Sequence, residues 1–125
     1  MVLGCTAAFS AAEDGTPQLP FDSTTGKVIP ELWQRWLNWD PVRMVARYDA
    51  ALRGLHTIWI DAGTRDEWFL DLGATAFRAE LLAAGVAPER IAFELFDATH
   101  MAIDYRYPVA LEHLARAMSN AVAGV

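Results

Sequence analysis

The sequence predicts an α/β fold in which two parallel strands are flanked by helices, and three observations carry that expectation. Two short, nearly unbroken apolar runs, LHTIWID at 55–61 and RIAFELF at 90–96, have the length and the Ile, Trp and Phe content of strands covered on both faces, the habit of a parallel sheet. Between them, Leu70, Phe77, Leu81 and Leu82 recur at helical spacing. The resulting order of strand, helix, strand, helix is that of a right-handed crossover unit.

Taken in order, residues 1–29 form an N-terminal loop segment, rich in turn formers from residue 11 onward: Glu13-Asp14-Gly15-Thr16-Pro17, Pro20, and Asp22-Ser23-Thr24-Thr25-Gly26. Its start, MVLGCTAAFSAA, includes Val2-Leu3-Gly4-Cys5, which has the form of a lipoprotein cleavage box. It lies against Met1 without a charged or apolar region before it, so it reads as an internal apolar segment or a shortened N-terminus rather than a signal. Residues 30–54 form a helical, cap-like segment. Pro30 suits the first position of the helix PELWQRWLNW, and Asp40-Pro41 repeats the signal as N-cap and N1 of a second helix ending near Arg53, with Gly54 after it. Residues 55–125 form a β-α-β-α unit. After the first run the chain turns at 62–67 and enters a helix over 68–84, with Gly85 as its C-cap glycine. After the second run, Asp97-Ala98-Thr99-His100 makes a tight loop, and a last helix runs from about Tyr107 to Ala123 with Pro108 in its first turn.

Composition narrows the function classes. A chain of 125 residues with 54% hydrophobic content is expected to fold as one domain with a packed core. The net charge is −6 and the ten basic residues are scattered, which argues against nucleic acid as a partner. No apolar run approaches the roughly twenty residues that span a bilayer, so no membrane association is expected. The single cysteine, Cys5, permits no internal disulfide; it reads as a small apolar residue in a reducing, cytoplasmic setting. His56 and His113 have no metal-ligand spacing with another His, Cys or Glu, so no metal site is expected.

The chemistry gathers at two loops. In sheets of this kind, ligand and catalytic groups sit beyond the carboxyl ends of the strands. Residues 61–67 and 97–100 both leave those ends, so they are expected side by side on one rim. Either loop can be read blandly, since Asp readily hydrogen-bonds nearby backbone in turns. The sharper reading is that an acid there orients His100. Asp66 is the first candidate, Asp61 the second, and Asp97 competes with both. Arg65 and Glu67, beside the acid, read as rim ion pairs of little energetic weight. Trp33, Trp36 and Trp39 recur at three-residue spacing and are expected along one side of a helix, either packed or roofing a substrate pocket; Trp68 is a further pocket candidate.

The residues IWIDAGTRDEWFLDLG, FELFDATHMAIDYRYP and LWQRWLNWDPVRM resemble the C-terminal part of the α/β-hydrolase superfamily, and more closely the putative esterase family, which includes esterase D and mycolyltransferase-like enzymes. The resemblance covers about residues 20–120. In that family the triad acid follows the penultimate strand in a Gly-x-x-Asp turn, matched by Gly63-Thr64-Arg65-Asp66, and the histidine follows the last strand in a Gly/Ala-x-His loop, matched by Ala98-Thr99-His100. Their separation of 34 residues is the length of one helix and one strand. The resemblance implies Asp66 as orienting acid and His100 as general base and then general acid, in ester hydrolysis or acyl transfer that needs no metal or organic cofactor.

The departure is equally clear. The family's serine stands upstream in a Gly-x-Ser-x-Gly elbow. The chain has no such motif, and Ser10, Ser23 and Ser119 lie in an apolar stretch, a loop and a helix end. The expectation is therefore a partial α/β-hydrolase fold carrying the acid and histidine but not the serine. Such a chain would self-associate or pair with a nucleophile-bearing segment, and once completed would take a small-molecule ester. The alternative is a non-catalytic truncated α/β module or a binding protein using the Trp33, Trp36 and Trp39 face.

Overall fold

The computed structural model describes residues 2–123. Five α-helices and one two-stranded parallel sheet are present among them: α1 (Val2–Phe9), α2 (Pro30–Leu37), α3 (Pro41–Arg53), β1 (Ile58–Gly63), α4 (Leu70–Ala83), β2 (Ile91–Phe96) and α5 (Arg106–Ala123), with a single 3₁₀ turn at Pro88–Arg90. The mixed α/β class expected from the sequence is observed. The chain divides into two compact units, Met1–Met44 and Val45–Val125, with the boundary inside α3.

In the first unit the turn-rich stretch folds as expected around two isolated antiparallel bridges, Ala11 with Pro17 and Phe21 with Val28. Gly26, with φ +71°, and the Asp22 carboxylate, which accepts the N–H groups of Thr24 and Thr25, close the second of these loops. The apolar start is not loop but helix. Its anchor is Ser10, fully buried, whose hydroxyl donates to the Gln18 carbonyl at 2.6 Å and accepts the Trp36 indole N–H at 2.8 Å. Phe9 packs edge-on against Trp36 with centroids 5.7 Å apart.

α2 is shorter than its sequence pattern. It stops at Leu37, so Trp39 lies beyond it in a turn and does not continue a helical tryptophan stripe. The stop follows from the next helix: the Asp40 carboxylate accepts the Val42 N–H at 3.0 Å as an N-cap, which requires non-helical backbone just before Pro41.

The second unit has its core on one side of the sheet. Val45, Leu81 and Val86 are buried, with Leu52, Ile58, Ile60, Phe77 and Ile91 packed around them. Side chains alternate across a strand. Ile58 and Ile60 therefore face α4, while Trp59 and Asp61 face α5, where Trp59 meets His113 at 5.1 Å and Asp61 meets Arg106. Gly85, with φ +84°, ends α4 as expected: its N–H bonds the Leu82 carbonyl, the Val86 N–H bonds the Leu81 carbonyl, and Val86 folds back onto Leu81.

The larger boundary shifts in this unit fall on β1 and α4, each for a local reason. β1 begins at Ile58 rather than 55 because its pairing starts where Ile58 meets Ile91, and it runs on to Gly63 opposite Phe96. α4 begins at Leu70 rather than Trp68, because Asp66 holds the N–H groups of Trp68 and Phe69 in a turn. The strands are half-covered rather than buried on both faces: Glu94 and Leu95 are exposed, and each strand has an unpaired edge among the described residues.

Candidate functional site: an aspartate–histidine pair at the strand ends

The two loops leave the carboxyl ends of β1 and β2 and are fastened to each other. Thr64 N–H donates to the Phe96 carbonyl at 2.8 Å, and Arg65 N–H to the Ala98 carbonyl at 3.0 Å. The Arg65 guanidinium pairs with Asp97 at 2.6 Å. Gly63 makes this approach feasible. A Cβ there would lie 2.3 Å from the Ala98 oxygen and 2.9 Å from the Thr99 oxygen, both backbone atoms that cannot swing away.

The structure separates the three candidate acids by partner. Asp97 faces Arg65 in solvent. Asp61 lies directly across the ladder from Glu94, two like charges side by side, and Arg106 bridges them: its Nε donates to Asp61 at 2.9 Å and its Nη2 contacts Glu94. Hydrogen bonding to Glu94, opposed by partial burial and reinforced by Asp61, raises the Arg106 pKa above its ordinary value. The same guanidinium sits 4.4 Å from the centroid of Phe96. Asp61 is thus tied to the sheet and does not orient a histidine.

Asp66 is the acid that does. Its Oδ2 lies 3.0 Å from Nδ1 of His100, and its Oδ1 accepts the Trp68 N–H at 2.7 Å. The carboxylate side chain is 4% exposed, whereas that of His100 is 39% exposed. Burial pushes the Asp66 carboxyl up, but the hydrogen bonds from Trp68 N–H, the His100 ring and Leu70 N–H outweigh it and hold the group below its ordinary range. An ionised carboxylate only accepts, so Nδ1 of the neutral imidazole carries the hydrogen and Nε2 keeps its lone pair. An exposed histidine held in this tautomer by a buried acid can take a proton from a hydroxyl placed at Nε2.

Two residues near the site take partners that the sequence reading did not assign, although Tyr105-Arg106-Tyr107 after His100 reads as lining the rim or packing at the helix start. Glu67, read as a rim charge, accepts the backbone N–H of His100 at 3.1 Å. Arg106 is the counterion between the strands. Its sequence signal is faint, because the pairing of Asp61 with Glu94 is visible only once the register is known. Trp68 stands two residues from Asp66 and is 46% exposed. Trp33, Trp36 and Trp39 belong to the first unit: Trp36 is half-buried against Phe9 and Ser10, while Trp33 and Trp39 are exposed. A shallow groove of about 310 Å³ lies elsewhere in the second unit, lined by Val45, Ala46, Asp49, Glu80, Ala83 and Ala84, and no residue of the pair borders it.

Among the described residues no group of three or more His, Cys, Asp or Glu side chains is placed to hold a metal ion. No described helix is long and apolar enough to cross a membrane. No protein-family model and no curated protein matches the chain.

Proposed function

We propose that this chain supplies the acid and the histidine of an esterase-type serine hydrolase, acting in carboxylic-ester hydrolysis or acyl transfer. The observation that supports the reading is the 3.0 Å hydrogen bond between buried Asp66 and half-exposed His100 at the carboxyl ends of two parallel strands. In the proposed step, Nε2 of His100 removes the proton of a serine hydroxyl as that oxygen attacks the ester carbonyl. The imidazolium, stabilised by Asp66, then returns the proton to the leaving alkoxide. Water repeats the cycle on the acyl-serine. On this reading the serine belongs to a pairing, nucleophile-bearing polypeptide, since the sequence holds no Gly-x-Ser-x-Gly. On this reading β1, α4, β2 and α5 correspond to the C-terminal part of an α/β-hydrolase, and Trp68 borders the acyl or alcohol group.

Two assays test this. The purified chain is expected to hydrolyse p-nitrophenyl acetate at a rate that falls in His100→Ala and in Asp66→Asn, because an oriented imidazole acts on activated esters without a serine. Equal rates for all three proteins would end the proposal. Intact-mass labelling with a fluorophosphonate is expected to leave the isolated chain unmodified. An adduct that vanishes in His100→Ala would instead locate an activated serine within it.

A second reading, a non-catalytic α/β module, draws support from the same missing motif. It is favoured if His100→Ala changes neither assay.

A further inference from the structure

Two consecutive acids hold His100 at two different points. Asp66 turns inward and takes the ring at Nδ1, while Glu67 turns outward over the rim and takes the backbone N–H of His100 at 3.1 Å. The rest of the loop explains why the second contact matters. Upstream of the histidine, Ala98 is anchored in both directions: its N–H reaches the Phe96 carbonyl and its carbonyl accepts Arg65 N–H. Downstream the chain is poorly tied. Thr99 Oγ1 makes a 3.5 Å contact with the Met101 carbonyl, and Ala102 sits in the left-handed region at φ +59°. His100 is therefore the joint between an anchored half-loop and a strained one, and the Glu67 carboxylate is what fixes its peptide plane. Without that acceptor the imidazole direction would rest on the Asp66 bond alone, because a change in the His100 backbone would carry the ring with it.

We propose that Glu67 is a positioning residue for His100, holding the histidine backbone so that Nδ1 meets Asp66 and Nε2 faces outward. The proposal rests on the reading of His100 as a general base. Glu67 touches neither substrate nor the reacting atoms; it acts through the His100 peptide.

The test is ¹⁵N NMR of the full chain, wild type beside Glu67→Ala, Glu67→Gln and Asp66→Asn, with thermal unfolding of each as a check on folding. Glutamine keeps a side-chain oxygen that can accept the N–H; alanine does not. In Glu67→Ala, exchange of the His100 amide is expected to rise roughly three- to tenfold, the consequence of one lost exposed hydrogen bond. The ring nitrogen shifts are expected to move away from the Nδ1–H tautomer. Glu67→Gln restores both. Asp66→Asn changes the tautomer while leaving the amide protected. Wild-type exchange and ring shifts in Glu67→Ala, or a Glu67→Gln protein as altered as Glu67→Ala, would overturn the proposal. None of these readouts requires turnover, so the ester assays can fail while the positioning role stands, and the reverse.

Discussion

The carboxylate of Asp66 and the imidazole of His100, 34 residues apart in the chain, meet at 3.0 Å with the acid buried and the base half-exposed. That asymmetry allows the acid to stay charged and fixed while the histidine remains accessible. It also sets the pH behaviour. A carboxyl whose folded pKa is depressed adds stability that is fully present above its unfolded pKa, about 4 for Asp, and is lost as pH falls through the folded value. Asp66→Asn is therefore expected to cost stability at neutral pH and to flatten the acid limb of a urea-midpoint profile below about pH 4. Parallel acid limbs in the two proteins would contradict this.

Replacing Arg106 leaves Asp61 and Glu94 facing each other across the ladder without a counterion. The Arg106 side chain is only 12% exposed, but Glu94 is open to solvent, which moderates the effect. Arg106→Met is expected to destabilise by about 2 kcal/mol, between an exposed pair and a buried one. Adding Glu94→Gln should recover part of that loss by removing the repulsion. Urea denaturation measures both, and additive losses in the double variant would show that the three charges do not act together.

Gly63→Ala tests the close approach of the loops. The added methyl would meet backbone oxygens of Ala98 and Thr99, so relief requires moving the loop that carries His100. A cost of about 2 kcal/mol or more is expected, the upper range for overpacking. The His100 ring shifts should change in parallel. Normal stability with unchanged ring shifts would mean that the two loops separate at little cost.

Phe69 and Ala102 are the two non-glycine residues at positive φ among the described residues, and each stands shortly after a member of the Asp66–His100 pair. Phe69 is 68% exposed, so it returns little burial for its left-handed backbone. Phe69→Asn is expected to raise stability by about 0.5–1 kcal/mol, because Asn tolerates that region. A thermal midpoint that falls instead would show that the Phe69 ring has a packing partner in solution.

Each strand of the sheet has an unpaired edge among the described residues, and such edges recruit other chains. The chain is expected to associate, with itself or with the serine-bearing segment. Light scattering at micromolar concentration checks this, and a clean monomer would count against association with itself.

Local signals were enough to place much of the fold. Gly85 announces a helix end because the Schellman bonds need a glycine at positive φ, and Asp40-Pro41 announces a helix start because an acceptor and a fixed φ are both required there. The spacing of Phe77, Leu81 and Leu82 marks the helix that covers Ile58 and Ile60. Where the chain departs from its pattern, a neighbour supplied by the fold is responsible: Ser10 accepts Trp36 and anchors an unexpected helix, and Asp66 captures Trp68 N–H and delays α4.

The candidate site divides along the same line. The sequence by itself determined that acids and a histidine stand where two strands end, because apolar runs, a turn glycine and the crossover order are all local properties. Only the tertiary structure decided which acid faces which partner. Asp61, Asp66 and Asp97 are alike in sequence, and their roles follow from strand register and loop contact. Register sets Asp61 against Glu94 and so calls for Arg106. The passage of Ala98 over Gly63 brings Asp97 to Arg65 and His100 to Asp66 and Glu67. Pairings between residues more than thirty positions apart carry no local signature, since they depend on how separately formed elements meet.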